Sequence, residues 1–564
     1  MSTVNNFEYV SHRPDVLCQN GAVACTNPYA ARIGLEILKA GGNAADAAVA
    51  VAAALNVTNP MCTGIGGDAF CLFYDAKTKS VKGLNGSGRC PGNLTLDLLE
   101  KEGYKPSNPP PITHGHMVTV PGAAAAWCDT VKHFGSGKLT MKDILQPATD
   151  LAEKGHAVMQ VPAYFWGTGA FALKAPKNTH GHEMLINGEP PKWGQVFKNS
   201  NLARVYKKLA EEGPKGFYEG EIAAAVVEAV HHNGGVMSLE DLKSHTSTRV
   251  DPISVEYKGV RLWEIPPNGQ GIVALMTLNI LKGFDMKALG HNSSEYIHIL
   301  AEALSLSFLD ALAYVTDPGV EEVPVATLLS EKYADQRRKL ITDRSNAGKF
   351  KAGDLKIGSD TAYFTVSDNE GNACSFINSN FMGFGTGIVP KSCGFTLQNR
   401  GYNFSLERGH PNAVSPRKRP YHTIIPAMLT DDKSGELLSS YGVMGGFMQP
   451  QGHVQVLLNM LEFHMSPQRA LDMPRIRLGP GHTGITGALA VEKGIPQSVI
   501  DELRAKGHDV HGPETGHERA GMGRGHIITR GAWWKDPKDD SIFDDKSVYW
   551  VGSDPRAGGM AIGY

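Results

Sequence analysis

A chain of 564 residues, 41% hydrophobic and 20% charged, has the composition of a globular protein long enough to build a large core. Its formal net charge of -2, with acids and bases scattered along the chain, excludes an electrostatic case for nucleic acid or an anionic membrane and favours a small, roughly neutral partner. The opening MSTVNNFEYVSHRPDV lacks a basic-then-apolar signal, the longest apolar candidate (44–57) is too short to span a bilayer, and eight cysteines without a CxxC pair suit buried free thiols in the cytoplasm.

In chain order, residues 28–40 carry a helical stripe of Ile33, Leu35, Ile37 and Leu38, started by Pro28 and ended by Gly41-Gly42. Asn43 caps a second, alanine-rich helix to about residue 55. Residues 69–75 and 80–85 then read as two strands around a polar turn. Helices are expected at 122–132, 141–154, 220–233 and 294–314. The charged, glycine-containing stretch 338–359 reads as a mobile surface linker. Directly after it, TAYFTVSDNEGNACS predicts a hairpin turning at 369–372. Helices at 452–463 and 497–506 and strands in GHIITR and SVYWVG complete an α+β pattern without internal repeats.

The junction Asp360-Thr361 has a chemical reading. A threonine at the first position of a strand, following a mobile linker, can attack its own preceding carbonyl and convert the peptide to an ester that hydrolyses. Thr361 then becomes an N-terminus holding both a hydroxyl nucleophile and an α-amine, whose ordinary pKa of about 8 makes it a serviceable base near neutral pH. By itself the pattern is weak, because loop-to-strand threonines are common.

Residues 23–75 (VACTNPYAARIGLEILKAGGNAADAAVAVAAALNVTNPMCTGIGGDAFCLFYD) supply the context. They are joined by TVPGAAAAW, ILQPATDLAEKG, FGTGIV, KRPYHTIIPAM, the MGG at 444–446 and the terminal SDPRAGGMAIGY. Together they resemble the γ-glutamyltransferase (glutathione hydrolase) family over nearly the whole chain. The resemblance implies a four-layer αββα sandwich of the N-terminal-nucleophile hydrolase type. Residues 1–360 would form the large subunit and 361–564 the small catalytic one, interwoven in one core and associated after autoproteolysis. A dimer of such heterodimers stays open. It also implies Thr361 as nucleophile, Ser379 as its assisting hydroxyl, Gly445 and Gly446 as oxyanion donors, and Thr423 lining the site.

The matching substrate clamp is rewritten. The family's arginine position falls on Ser87, with Arg89 two residues away, while its asparagine, glutamine and aspartate become Phe381, Arg400 and Asn403; a serine becomes His422. Losing the aspartate removes a charge-assisted bond to a substrate ammonium, worth roughly 1.5–3 kcal/mol. Arg89 and Arg400 remain for a carboxylate. NRGYNFSL and KRPYHTIIPA look like the glutathione hydrolase-like and oxamate amidohydrolase branch, and the short 406–420 loop implies an open site. The expected function is therefore cleavage of γ-glutamyl amides such as glutathione through an acyl-threonine, passed to water or an amine acceptor. Oxamate or a glutaryl amide is the alternative donor, and an uncleaved binding protein the alternative from another class. Neither metal nor cofactor is expected: the pairs His114/His116 and His180/His182 lack partners at ligand spacing, and GFGTG and GMGRG are not dinucleotide fingerprints.

Overall fold

The computed structural model describes residues 11–345, 361–479 and 488–564. Asp360 and the linker beyond residue 345 lie outside the described residues. Two antiparallel seven-stranded sheets face each other. One has the order Met560–Gly563, Ala22–Cys25, Ala362–Ser367, Ala373–Ser379, Asp68–Asp75, Ser80–Gly86, Thr248–Val250. The other runs Val16–Cys18, Tyr549–Ser553, Arg524–Arg530, Leu437–Met444, Ala427–Asp431, Val260–Glu264, Ile253–Tyr257. Each sheet mixes strands from before and after residue 361.

Side-chain alternation explains the layering. In Ala362–Ser367, Ala362, Phe364 and Val366 face a helical layer that includes Pro28–Lys39, Ala44–Thr58, Ala123–Phe134 and Met141–Lys154. Tyr363 points the other way, into an inter-sheet core with Phe70, Leu72, Ile377, Ile425, Met428 and Met444. Gly442 accommodates the Tyr363 ring, since a Cβ there would lie 2.5 Å from it. Beyond the second sheet, Gly271–Leu281, Ser294–Tyr314 and Met448–Leu461 form the outer helical layer. The four-layer αββα sandwich is thus present, with the central strands of both sheets buried on both faces.

Three local expectations are corrected. The helix placed at 452–463 starts at Met448, directly behind the glycine pair. Gly271–Leu281 was not foreseen, because it is apolar all round and buried along its full length, leaving no stripe to read. The longest apolar segment is Ser294–Tyr314, not 44–57; it is long and apolar enough to cross a bilayer, yet 83% of that window is buried inside the sandwich. All eight cysteines are buried and none is in a disulfide.

Candidate active site

The hairpin after residue 360 sets the geometry. Its register pairs Ala362 with Asn378, so the next residues outward, Thr361 and Ser379, meet at the open end. Their hydroxyl oxygens lie 3.1 Å apart and both residues are fully buried. The loop Cys62–Asp68 packs beneath them: a Cβ on Gly67 would sit 2.2 Å from the Ser379 carbonyl, so only glycine fits.

A line of hydrogen bonds leads away from this pair. Ser379 Oγ accepts the Phe381 N–H at 2.9 Å and an Arg400 guanidinium N–H at 3.3 Å. The other terminal nitrogen of Arg400 donates to Thr423 Oγ1 at 2.7 Å. The Thr423 carbonyl accepts from Gln270 Nε2 at 2.6 Å, and that nitrogen also reaches the Gly446 carbonyl at 2.8 Å. Gln270 is itself held by the Tyr421 hydroxyl, 3.1 Å from its Oε1. The predicted residues Thr361, Ser379, Arg400, Thr423 and Gly446 are therefore brought together.

Gly445 and Gly446 turn the chain from strand Leu437–Met444 into helix Met448–Leu461, with φ of 133° and 57° that side chains disfavour. Met444, just before them, receives the Tyr363 N–H on its sulfur at 3.4 Å, which sets the turn beside the head of the nucleophile strand. The first N–H groups of a helix have no intrahelical acceptor, so this turn gathers donors suited to a developing oxyanion.

The charges are arranged around a residue the sequence reading did not single out. Asp68 is fully buried; its Oδ1 accepts from Gly88 N at 2.8 Å, Gly122 N at 3.1 Å and Gln398 Nε2 at 2.9 Å. Its Oδ2 pairs with His422 Nε2 at 2.9 Å. His422 Nδ1 lies 3.3 Å from the Ile424 N–H and must accept there, so the proton sits on Nε2 and the ring is neutral. Burial, helped by the Arg400 charge, pushes His422 down to about 3 despite Asp68. Burial alone would raise the Asp68 carboxyl, but the hydrogen bond from neutral His422, the Arg400 charge and the Gln398 hydrogen bond hold it below its ordinary value.

Arg400 is fully buried above the Phe381 ring, 4.4 Å from its centroid. Burial lowers its guanidinium to about 9, against the pull of Asp68, so it stays charged at neutral pH. Its partners are neutral hydroxyls, its Nε has none, and among the described residues no carboxylate lies within ion-pair distance. A surface or inter-chain salt bridge, the plain alternative for this arginine, does not fit that burial. Phe381 holds its place with φ of 79°, a strained value for a non-glycine residue.

Asn403 donates to the Tyr421 carbonyl at 3.0 Å, while its buried Oδ1 has no partner. Arg89 is not drawn into this network: it is half-buried and reaches the Thr246 carbonyl at 3.4 Å. Arg419 is the buried arginine at that wall, donating to the Ser87 carbonyl at 3.0 Å and to Thr248 Oγ1 at 3.1 Å. Asp68, Gln270 and Arg419 were missed. For Asp68 a signal existed, an acid between Gly66-Gly67 and a wholly apolar strand; for Gln270 the sequence offers none.

A threonine heading a buried strand of an αββα sandwich, with a hydroxyl partner and a glycine turn beside it, defines the N-terminal-nucleophile hydrolase class. The model of the gamma-glutamyltranspeptidase family matches residues 30–564. The chain belongs to that family. It is 36% identical to the glutathione hydrolase-like YwrD proenzyme of Bacillus subtilis, over 95% of this chain and 96% of that one. It is 29% identical to the oxamate amidohydrolase proenzyme of Klebsiella pneumoniae, over 97% and 98% of the two chains. The crystal structure of cephalosporin acylase from Bacillus halodurans superposes with a TM-score of 0.87 at 38% identity, covering 99% and 98%. The chain is therefore an enzyme of the hydrolase and acyltransferase class, and the pocket has to say what it takes.

Proposed function

We propose that the chain cuts itself between Asp360 and Thr361 and then works as an acyl-threonine amidohydrolase whose acyl donor carries a carboxylate held by Arg400. Thr361 Oγ1 adds to the substrate amide carbon while its α-amine takes the hydroxyl proton. The Gly445 and Gly446 N–H groups face the oxyanion. The amine leaves with that proton, and water or an amine acceptor releases the acyl group from Thr361. Ser379, 3.1 Å from the nucleophile, assists in both maturation and turnover. γ-Glutamyl amides, glutathione foremost, are the leading donors, in keeping with the relative named glutathione hydrolase-like.

One observation carries the carboxylate: a buried, protonated arginine with only hydroxyl partners and a spare Nε at the nucleophile's side. A second observation favours a broader donor range. Among the described residues that line this wall no acid is left for an α-ammonium, because Asn403 offers only a neutral oxygen and both oxygens of Asp68 are already taken by four donors. Small carboxylate-bearing amides without the amine, oxamate or a glutaryl amide, are thus the second reading. Comparing kcat/KM for a γ-glutamyl anilide and its glutaryl counterpart tests both. Values within about tenfold are expected, and a preference above roughly 100-fold for the γ-glutamyl compound would show that an ammonium site exists after all. Eight cysteines with no disulfide among them support a reducing compartment such as the cytoplasm.

A further inference from the structure

Outside this site, three buried side chains from distant parts of the chain converge. His298 and Glu302 stand one turn apart on helix Ser294–Tyr314 and therefore share a face. His508 arrives between helix Gln497–Ala505 and strand Asp509–Glu514. The three are 0%, 1% and 5% exposed, and one ligand atom of each lies within 4.8 Å of the others.

The proton positions follow from the fixed partners. His298 Nε2 lies 2.7 Å from the Thr342 carbonyl, which can only accept, so Nε2 carries the hydrogen and Nδ1 the lone pair. That lone pair faces His508 Nε2 at 2.8 Å. His508 Nε2 therefore donates to it here, and ligation through Nε2 moves that hydrogen to the buried Nδ1, which has no partner. Ser345 Oγ donates to Glu302 Oε1 at 3.0 Å. A carbonyl on the outer N–H of one imidazole and a hydroxyl on the carboxylate are the supports that orient metal ligands.

We propose that His298 Nδ1, His508 Nε2 and the Glu302 carboxylate bind one divalent transition-metal ion of the zinc type. Two imidazoles and one carboxylate favour such an ion over calcium or magnesium, which prefer oxygen cages. Ligand atoms about 2.0–2.1 Å from a tetrahedral zinc sit about 3.4 Å from one another, between the separations found here. A cavity of about 470 Å³ is lined by Asp343, Arg344, Ala505, Lys506 and Thr342, the residue whose carbonyl holds His298. The Lys506 ammonium at its edge is engaged by Glu295 at 2.6 Å. His298 and Glu302 precede residue 361 and His508 follows it, so the ion fastens one cleavage product to the other. Binding itself does not depend on cleavage; the fastening role rests on the maturation proposed above.

The test uses untagged full-length protein stripped with chelator, titrated with Co2+ followed by visible absorption and with Zn2+ against a chromophoric competitor. One equivalent with micromolar or tighter affinity is expected, together with a Zn2+-dependent rise in Tm. His508→Gln and Glu302→Gln should weaken binding by about 100-fold while acyl turnover stays within about twofold of wild type. Should either variant fail to fold, the wild-type titration alone decides: no bound equivalent overturns the site. Unchanged binding in a folded His298→Gln/His508→Gln double variant overturns it too, by placing the ion elsewhere. Thr361→Ala protein should bind one equivalent as well. If wild type also never yields two fragments, the maturation reading falls while the metal site stands.

Discussion

At the open end of the hairpin, Thr361 and Ser379 meet because a ladder of six residue pairs dictates it. In the wall behind them, Arg400, Thr423, Gln270 and Gly446 meet only because separate loops have folded onto one another, and each contact depends on a side chain. The first region is backbone geometry, so its chemistry tolerates divergence elsewhere in the protein. The second is side-chain geometry, so one substitution rewrites what the pocket accepts. Relatives of this chain carry names as unlike as glutathione hydrolase, oxamate amidohydrolase and cephalosporin acylase, a range that a wall built from side chains allows.

Breaking the first region should cost most. Thr361→Ala is expected to run as a single full-length band on a denaturing gel and to lose turnover by a factor on the order of 10⁴–10⁶. A variant that still separates into two fragments would refute the hairpin-end assignment. Next, Gln270→Leu removes the tie between Thr423 and Gly446 without touching either. If that tie holds the oxyanion donors in place, kcat should fall by about 10²–10³ with KM little changed; a rise in KM alone would put Gln270 in the binding wall instead.

Arg400→Met sharpens the second region. It should cost roughly 10–100-fold in kcat/KM for a carboxylate-bearing anilide and leave a donor lacking the carboxylate nearly unaffected, in steady-state assays of the two. An equal loss for both would assign Arg400 to positioning Ser379. The smallest effect concerns pH and stability. The folded His422 resists protonation down to about 3, whereas the unfolded imidazole takes a proton near 6.5. The unfolded state therefore binds more protons between those values. Stability supplied by neutral His422 is complete above pH 6.5 and drains as pH falls, by at most about 1.4 kcal/mol per pH unit. Denaturant unfolding of His422→Phe between pH 4 and 7 should show a flatter slope than wild type; identical slopes would mean that other buried groups set the dependence.

Periodic signals in the sequence were enough for helices with one apolar stripe, such as Pro28–Lys39, and for the hairpin around its polar turn. They failed for Gly271–Leu281 and Leu437–Met444, which are buried on every side and so carry no contrast to read. In the site, Thr361, Ser379 and the glycine pair were legible through the motifs around them. Arg400 was legible as a charge, but not as a buried one. Asp68 and Gln270 act through partners more than 150 positions away, as Asp68 with His422 and Gln270 with Thr423, and no local pattern announces such a meeting. His508 escaped for the same reason, lying 210 positions from His298.

The interleaving of strands from either side of residue 361 bears on what a cut at that point can do. Ala362–Ser367 is bonded on one edge to Ala22–Cys25 and on the other to its own hairpin partner, which in turn holds Asp68–Asp75. Pulling the pieces apart means dismantling both sheets and exposing every layer at once. Separation would therefore be as slow as global unfolding, and a nicked molecule diluted far below any ordinary dissociation constant would stay whole for as long as an intact one. By the same logic, neither segment alone can complete either sheet, so the pieces that such a cut would leave must first fold as one polypeptide.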